Sequence, residues 1–241
     1  MRYVLLALSL LLLTSPVFAE EVIPSGTILP LQLNSSLNSK NVRPGQKISA
    51  RLMQDVPLPS GSKLRAGSRV LGKVLNVQRP GPNGGAKLTL QFDSIEVAKH
   101  SLPLKTNLRA LASMMEVNQA QIPQSGPDRG TSENSWTTEQ IGGGDVVYRG
   151  GGPVMNASQV VGKPVPGGVL VQAFSSRAGC GDGESLQALW VFSSNACGTY
   201  GFDDLAILHS GRRDPVGTIV LGSQKGEIEI RGGSGLLLRV R

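Results

Sequence analysis

The 241-residue chain has little of what most enzymatic chemistry requires. It holds two cysteines and two histidines, aromatic residues make up 4% of it, and charged residues only 17%. No Cys-x-x-Cys pair, Gly-x-Ser-x-Gly elbow or Gly-Lys-Ser/Thr phosphate loop occurs. Thiol redox, α/β-hydrolase and P-loop chemistries therefore lack their sequence marks. No aromatic ladder offers stacking surfaces to sugars or bases. Beyond the first residues, no apolar run approaches the ~20 residues of a membrane helix. Basic residues exceed acidic ones, for a formal net charge of +7. They read as dispersed singly, which points to a generic soluble surface and away from a nucleic-acid face.

What is present begins with the N-terminus. Arg2 precedes the apolar run Val4–Leu13, Thr14-Ser15-Pro16 ends it, and Val17-Phe18-Ala19 stands before Glu20-Glu21. Charge, apolar core and small-residue site in this order predict a signal peptide, residues 1–19, cleaved after Ala19. No cysteine sits at the cut site, so a lipid anchor is not expected. The predicted destination is the periplasm or the exterior, with no transmembrane segment in the mature chain.

Glycine (31) and proline (15) are abundant, a composition of many turns and short strands, hence mainly β. Three regions differ in texture. Residues 20–106 alternate apolar and polar positions at Thr27–Leu33, Gln46–Met53, Arg69–Val77 and Ala86–Phe92, the period of half-buried strands. Clusters such as Arg43-Pro44-Gly45 and Ala66-Gly67-Ser68 supply the turns of a small β-barrel or sandwich.

Residues 107–158 read as a short helix over Asn107–Gln119, with Leu108, Leu111, Ala112 and Met115 on one face and Asn107 as cap, followed by a Gly-rich linker. Met114 and Met115 are expected to pack. Residues 159–241 return to strands at Gly168–Phe174, Leu186–Phe192, Leu205–His209, Val216–Leu221, Glu227–Arg231 and Leu236–Val240. Ser223–Gly226 and Gly232–Gly235 are read as tight turns of a closing meander. Pattern alone leaves open whether the first and third regions are two domains or halves of one barrel.

Cys180 and Cys197, in an oxidising compartment, are expected to form a disulfide across Leu186–Phe192. No metal or other cofactor is expected. Asp182 and Glu184 in Cys180-Gly-Asp-Gly-Glu resemble only a fragment of a calcium loop, because the distal Glu is missing. His209 follows Asp203-Asp204 and precedes Ser210. Adjacent strand residues point to opposite faces, so these do not make a triad. His100 reads as a turn residue, Trp190 as mid-strand core, and Trp136 as an exposed contact residue in the linker.

The first region carries a more specific arrangement. Ser25-Gly26-Thr27-Ile28 opens a strand, Pro44-Gly45-Gln46-Lys47-Ile48-Ser49-Ala50 another, and Ala66-Gly67-Ser68-Arg69-Val70-Leu71-Gly72 a third. This order resembles the β-barrel domain of TrbI-like scaffold proteins of type IV secretion and conjugation, over about a third of the chain. The resemblance implies a barrel module and an envelope location. It also implies partner binding at a barrel rim near Asp55–Ser68, with Arg65 and Arg69 as contact residues. In that reading Gly45 and Gly67 permit turns, and Gly72 marks a bulge or close strand approach. The uncleaved membrane helix, proline-rich arm and outer-membrane helices of those scaffolds have no counterpart.

The expected function is that of an exported, non-enzymatic structural or interaction module of the bacterial envelope. Its partner would be an envelope protein or a cell-wall component, with no nucleic acid. The alternatives are a carbohydrate- or peptidoglycan-binding domain and, third, an exported hydrolase centred on His209.

Overall fold

A computed structural model describes residues 23–81, 84–98, 100–130, 137–148, 152–173, 180–181 and 185–241. The leader, Trp136, Asp182 and Glu184 lie outside the described residues. The first half is a succession of strands: β1 (Ile28–Leu33), β2 (Leu37–Asn38), β3 (Lys47–Leu52), β4 (Val56–Pro57), β5 (Lys63–Leu64), β6 (Arg69–Gln78), β7 (Lys87–Val97), β8 (His100–Pro103) and β9 (Thr106–Ala112). A seven-residue helix α1 (Met114–Ala120) follows. Then come β10 (Thr137–Glu139), β11 (Asp145–Tyr148), β12 (Val154–Asn156), β13 (Gln159–Val165), β14 (Gly168–Gln172) and β15 (Leu186–Ala188). The chain continues through β16 (Gly198–Tyr200), β17 (Ala206–His209), β18 (Ile219–Gly222), β19 (Glu229–Ile230) and β20 (Gly235–Val240).

The mainly β class read from composition is what the structure shows. Ten strands form one sheet in the order β16-β9-β20-β1-β3-β6-β7-β18-β17, with β8 paired to β7. The two ends of this path meet where Thr199 Oγ1 donates to the Leu205 carbonyl at 2.8 Å, so the sheet is a nearly closed barrel. A second sheet, β10 to β15, runs as a six-stranded meander in chain order.

Strand order settles the question of two modules or one. β20 lies between β1 and β9, pairing Leu29 with Leu238 and Leu31 with Leu236 on one side and Leu237 with Ala110 on the other. β18 pairs with β7 through Ile219–Leu90 and Leu221–Leu88. The division at residues 106 and 158 expected from texture therefore cuts through one sheet. The Gly-rich stretch read as a linker instead supplies β10, β11 and β12.

Two cores follow from the alternation along these strands. Leu29, Leu31, Ile48, Leu52, Val70, Leu88, Phe92, Leu236 and Leu238 point into the barrel. Ile28, Ala110, Ala112 and Leu237, on the outer face of the same strands, pack with Val169, Val171, Leu189 and Phe192 of the second layer. Each fully buried Leu, Ile or Phe contributes about 1.5–3 kcal/mol of transfer free energy.

β9 is buried at all seven positions. That explains why residues 107–112 are a strand and not the expected helix: burial on both faces erases the period-two signal. The helix begins later, capped by Ser113, whose hydroxyl accepts from the Glu116 amide, and it buries Val117 and Ala120. Met115 is 66% exposed and does not pack.

Other local readings are corrected in the same way. His100 starts β8, opposite Val97, and the turn falls at Ala98 with φ 55°. Trp190 is buried as expected but sits in a turn with φ 53°, because the strand stops at Ala188. β18, β19 and β20 form no meander; β19 pairs with β2. Gly72 does mark a close approach: a Cβ there would run into the Gln91 carbonyl at a β6–β7 irregularity. Gly67 turns with φ 90°.

One polar side chain ties the layers together. Gln54 is fully buried. Its Nε2 donates to the Val169 carbonyl at 2.6 Å, and its Oε1 accepts from the amides of Val169 at 3.2 Å and Trp190 at 2.8 Å. Gln54→Ala removes the acceptor of the Val169 and Trp190 amides in the interior, while the Val169 carbonyl keeps the Leu189 amide at 3.2 Å, so stability should fall by about 2–4 kcal/mol in urea unfolding. The Val169 and Trp190 amides should lose hydrogen-exchange protection. A loss under about 1 kcal/mol would mean Gln54 is not a tie between layers.

Candidate functional site

The disulfide expected from the sequence is present between Cys180 and Cys197, with Cα atoms 6.0 Å apart. It stands on the wall of a cleft of about 780 Å³, whose lining includes Leu108, Arg109, Leu208, His209, Arg212, Arg213 and Arg241. Four arginines border this hollow, and no Asp or Glu is among its described lining residues. The basic charge that reads as dispersed in sequence is here drawn together from β9, the β17–β18 loop and the residue after β20.

The backbone explains how. Leu237 pairs with Ala110 and Leu238 with Leu108, so Arg109 is the extra residue of a bulge on β9. Bulges re-aim a side chain out of the regular alternation. Arg109 is buried and donates from Nε to the Ala196 carbonyl at 2.9 Å and from Nη2 to the Ser194 carbonyl at 2.5 Å. From the other layer, Asp145 Oδ2 accepts from the Ser194 amide at 2.6 Å. The loop leading into Cys197 is thus held by a cation of the barrel and an anion of the second sheet.

Arg212 and Arg213 ride on a loop closed at its neck by His209. The ring's Nδ1 lies 2.7 Å from the Thr218 carbonyl and 3.1 Å from the Gly211 amide. Nε2 lies 3.2 Å from the Asp214 carbonyl. Both ring nitrogens are taken up by backbone, so the histidine that suggested a hydrolase is a clamp for the arginine loop. The loop docks on the barrel where the Leu108 amide donates to the Ser210 carbonyl at 2.8 Å.

The rim expected around Arg65 and Arg69 is of another character. Both arginines are exposed, and Arg69 faces Glu96 at 3.4 Å. Lys63 and the Ala66 amide both bind Asp55, at 2.5 and 2.9 Å. The Lys63 hydrogen bond, followed by the Ala66 amide, holds the Asp55 carboxyl below its ordinary range. Lys73 pairs with Asp93 in the same way. Charge on this flank is largely offset by its own neighbours.

No protein-family model matches the chain, and no curated protein matches it significantly in sequence.

The remaining concave regions carry less charge. A cleft of about 470 Å³ lies between α1 and the second sheet, bordered by Met53, Gln140 and Trp190. Another, of about 580 Å³, is bordered by Asp203, Asp204 and Lys87. Among the described residues, no three of His, Cys, Asp and Glu converge in a metal-holding group. The arginine cleft was missed in sequence because its members are 28 to 132 positions apart, apart from the pair Arg212-Arg213. That adjacent pair in a Gly-bounded loop was the available signal.

Asp204 is occupied structurally. Its Oδ2 accepts from the Lys225 amide at 2.5 Å and from Ser223 Oγ at 2.8 Å, and these bonds, the amide first, hold its carboxyl below the ordinary range. Lys40 does the same for Glu227. A carboxylate with a lowered folded pKa adds stability above its unfolded value, near 4, and that stability is lost as pH falls through the folded value. The protein should therefore lose stability below about pH 4. Asp204→Asn should lower the melting temperature at neutral pH and make the acid decline shallower. Identical acid limbs for the two proteins would show that Asp204 contributes nothing to it.

Proposed function

We propose that the chain is an exported, non-enzymatic interaction module of the bacterial envelope that engages its partner through the arginine cleft. The observation that carries this reading is the concentration of Arg109, Arg212, Arg213 and Arg241 around one hollow, while Lys63, Arg69 and Lys73 are each paired with an acid. A concave basic surface focuses potential toward an anionic partner. The groups that would serve a hydrolase are engaged elsewhere: His209 in its loop, Cys180 and Cys197 with each other, Asp204 with Ser223 and Lys225.

Export is supported by the leader-like N-terminus and by the disulfide, which suits an oxidising compartment. Among the described residues no helix is long and apolar enough to cross a membrane. The resemblance of the first region to TrbI-like barrels adds support for an envelope setting. It favours the rim near Arg65 and Arg69 as the contact surface, but the pairing of Arg69 with Glu96 makes that face the weaker candidate.

Tagged protein purified from envelope fractions should begin at Glu20 and bring down a partner. The partner should be lost in Arg212→Glu/Arg213→Glu and retained in Arg65→Glu/Arg69→Glu. A mature protein starting at Met1 would sink the export reading. Loss of the partner only in the rim variant would transfer the interaction to the rim.

A further inference from the structure

We propose that the arginine cleft is a binding site for a phosphate group borne by an organic ligand. This rests on the reading of the cleft as the interaction surface and adds the chemistry it recognises. Three observations converge on it.

The first is residue type. The cations around the hollow are all arginine and none is lysine, although the chain carries both. Guanidinium forks bind the tetrahedral oxygens of phosphate in pairs, where an ammonium acts as a point charge.

The second is that Arg212, Arg213 and Arg241 make no ion pair among the described residues, in contrast to Lys40, Lys63, Arg69, Lys73 and Arg231, which all do. Like charges gathered in a hollow repel one another, an arrangement that an incoming anion relieves. Their loop is held in shape by its own backbone and by His209. Gly211 turns with φ 83°, the Gly217 amide donates to the Gly211 carbonyl at 2.9 Å, and His209 closes the neck. A preformed anion seat loses little conformational entropy on binding.

The third is the wall. Leu108, Ile207 and Leu208 border the same cleft, and Leu208 is 55% exposed. An apolar surface beside a cluster of forks fits a ligand with a phosphate at one end and a carbon body at the other. Two sources carry that chemistry: a soluble phosphorylated metabolite or glycan, and the headgroup of an anionic phospholipid.

The test uses the mature full chain. Inorganic pyrophosphate and glucose 1-phosphate are titrated calorimetrically, and vesicles of phosphatidylglycerol in phosphatidylcholine are compared with phosphatidylcholine alone in a sedimentation assay. Arg212→Glu/Arg213→Glu should weaken binding about tenfold or more, since hydrogen bonds between charged groups are each worth about that factor. Arg212→Lys/Arg213→Lys should restore only part of it. Arg43→Glu/Lys47→Glu makes the same change in net charge outside the cleft and should bind as the unaltered protein does. Melting curves confirm that each variant is folded.

Binding of the soluble phosphates assigns a soluble ligand, and binding of the anionic vesicles alone assigns a lipid headgroup; either supports the site. The proposal is overturned if no probe binds. It also fails if the cleft variants bind normally, or if the Arg43/Lys47 variant weakens binding equally. An envelope partner that requires the cleft yet carries no phosphate would remove the phosphate assignment and leave the interaction reading standing. Phosphate binding without any envelope partner would do the reverse.

Discussion

Burial of β20 on both faces is the constraint from which the rest of the architecture follows. Leu236, Leu238 and Val240 fill the barrel, while Leu237 faces the second layer. A strand with apolar side chains on both sides cannot rest at a sheet edge without exposing one row of them. It must lie between neighbours and beneath a cover. β1 and β9 are those neighbours, and the β10–β15 sheet with α1 is the cover. α1 and the β10–β15 sheet, inserted between β9 and β16, are thus the cover that the outer row of Ile28, Ala110, Ala112 and Leu237 requires.

A cover held by apolar contact alone could slide, because dispersion and transfer terms are not directional. The structure fixes it with buried polar side chains reaching across the layers. Gln54 leaves the barrel to bind the backbone at Val169 and Trp190. Arg109 leaves β9 to bind Ser194 and Ala196, and Asp145 meets the same loop from the other side. Buried groups of this kind impose register, since any shift would strand them without partners. The bulge that aims Arg109 at the loop is also what places it beside the cleft.

The barrel strands were legible because they follow the simplest rule. β3 and β6 each carry one buried and one more solvated face, so alternation marks them within a residue or two. β9 and the cover were not. In Thr106–Ala112 both faces are buried, and Leu108, Leu111, Ala112 and Met115 happen to fall at helical spacing. The strands β10 to β13 are short and set among glycines, a composition that elsewhere signals unpaired chain. Their stability comes from packing on the outer face of the barrel, a surface that no local pattern reveals. Of the expected functional features, the cysteine pair was readable because only two cysteines exist. The cleft was not, since its arginines meet only through strand order and a bulge.

The division of labour among the polar residues bears on function. Catalysis needs a group whose lone pair or proton is free to be exchanged with a substrate. Three side chains with that capacity are engaged with backbone: His209 with Thr218 and Asp214, Asp204 with Lys225, Asp145 with Ser194. Arginine, by contrast, keeps its charge whatever surrounds it and exchanges no proton near neutral pH. A surface whose concentrated chemistry is guanidinium can hold an anion and orient it, but supplies neither base nor nucleophile. The fold that engages these three side chains leaves Arg212, Arg213 and Arg241 beside one hollow, and the proposed binding role draws on that contrast.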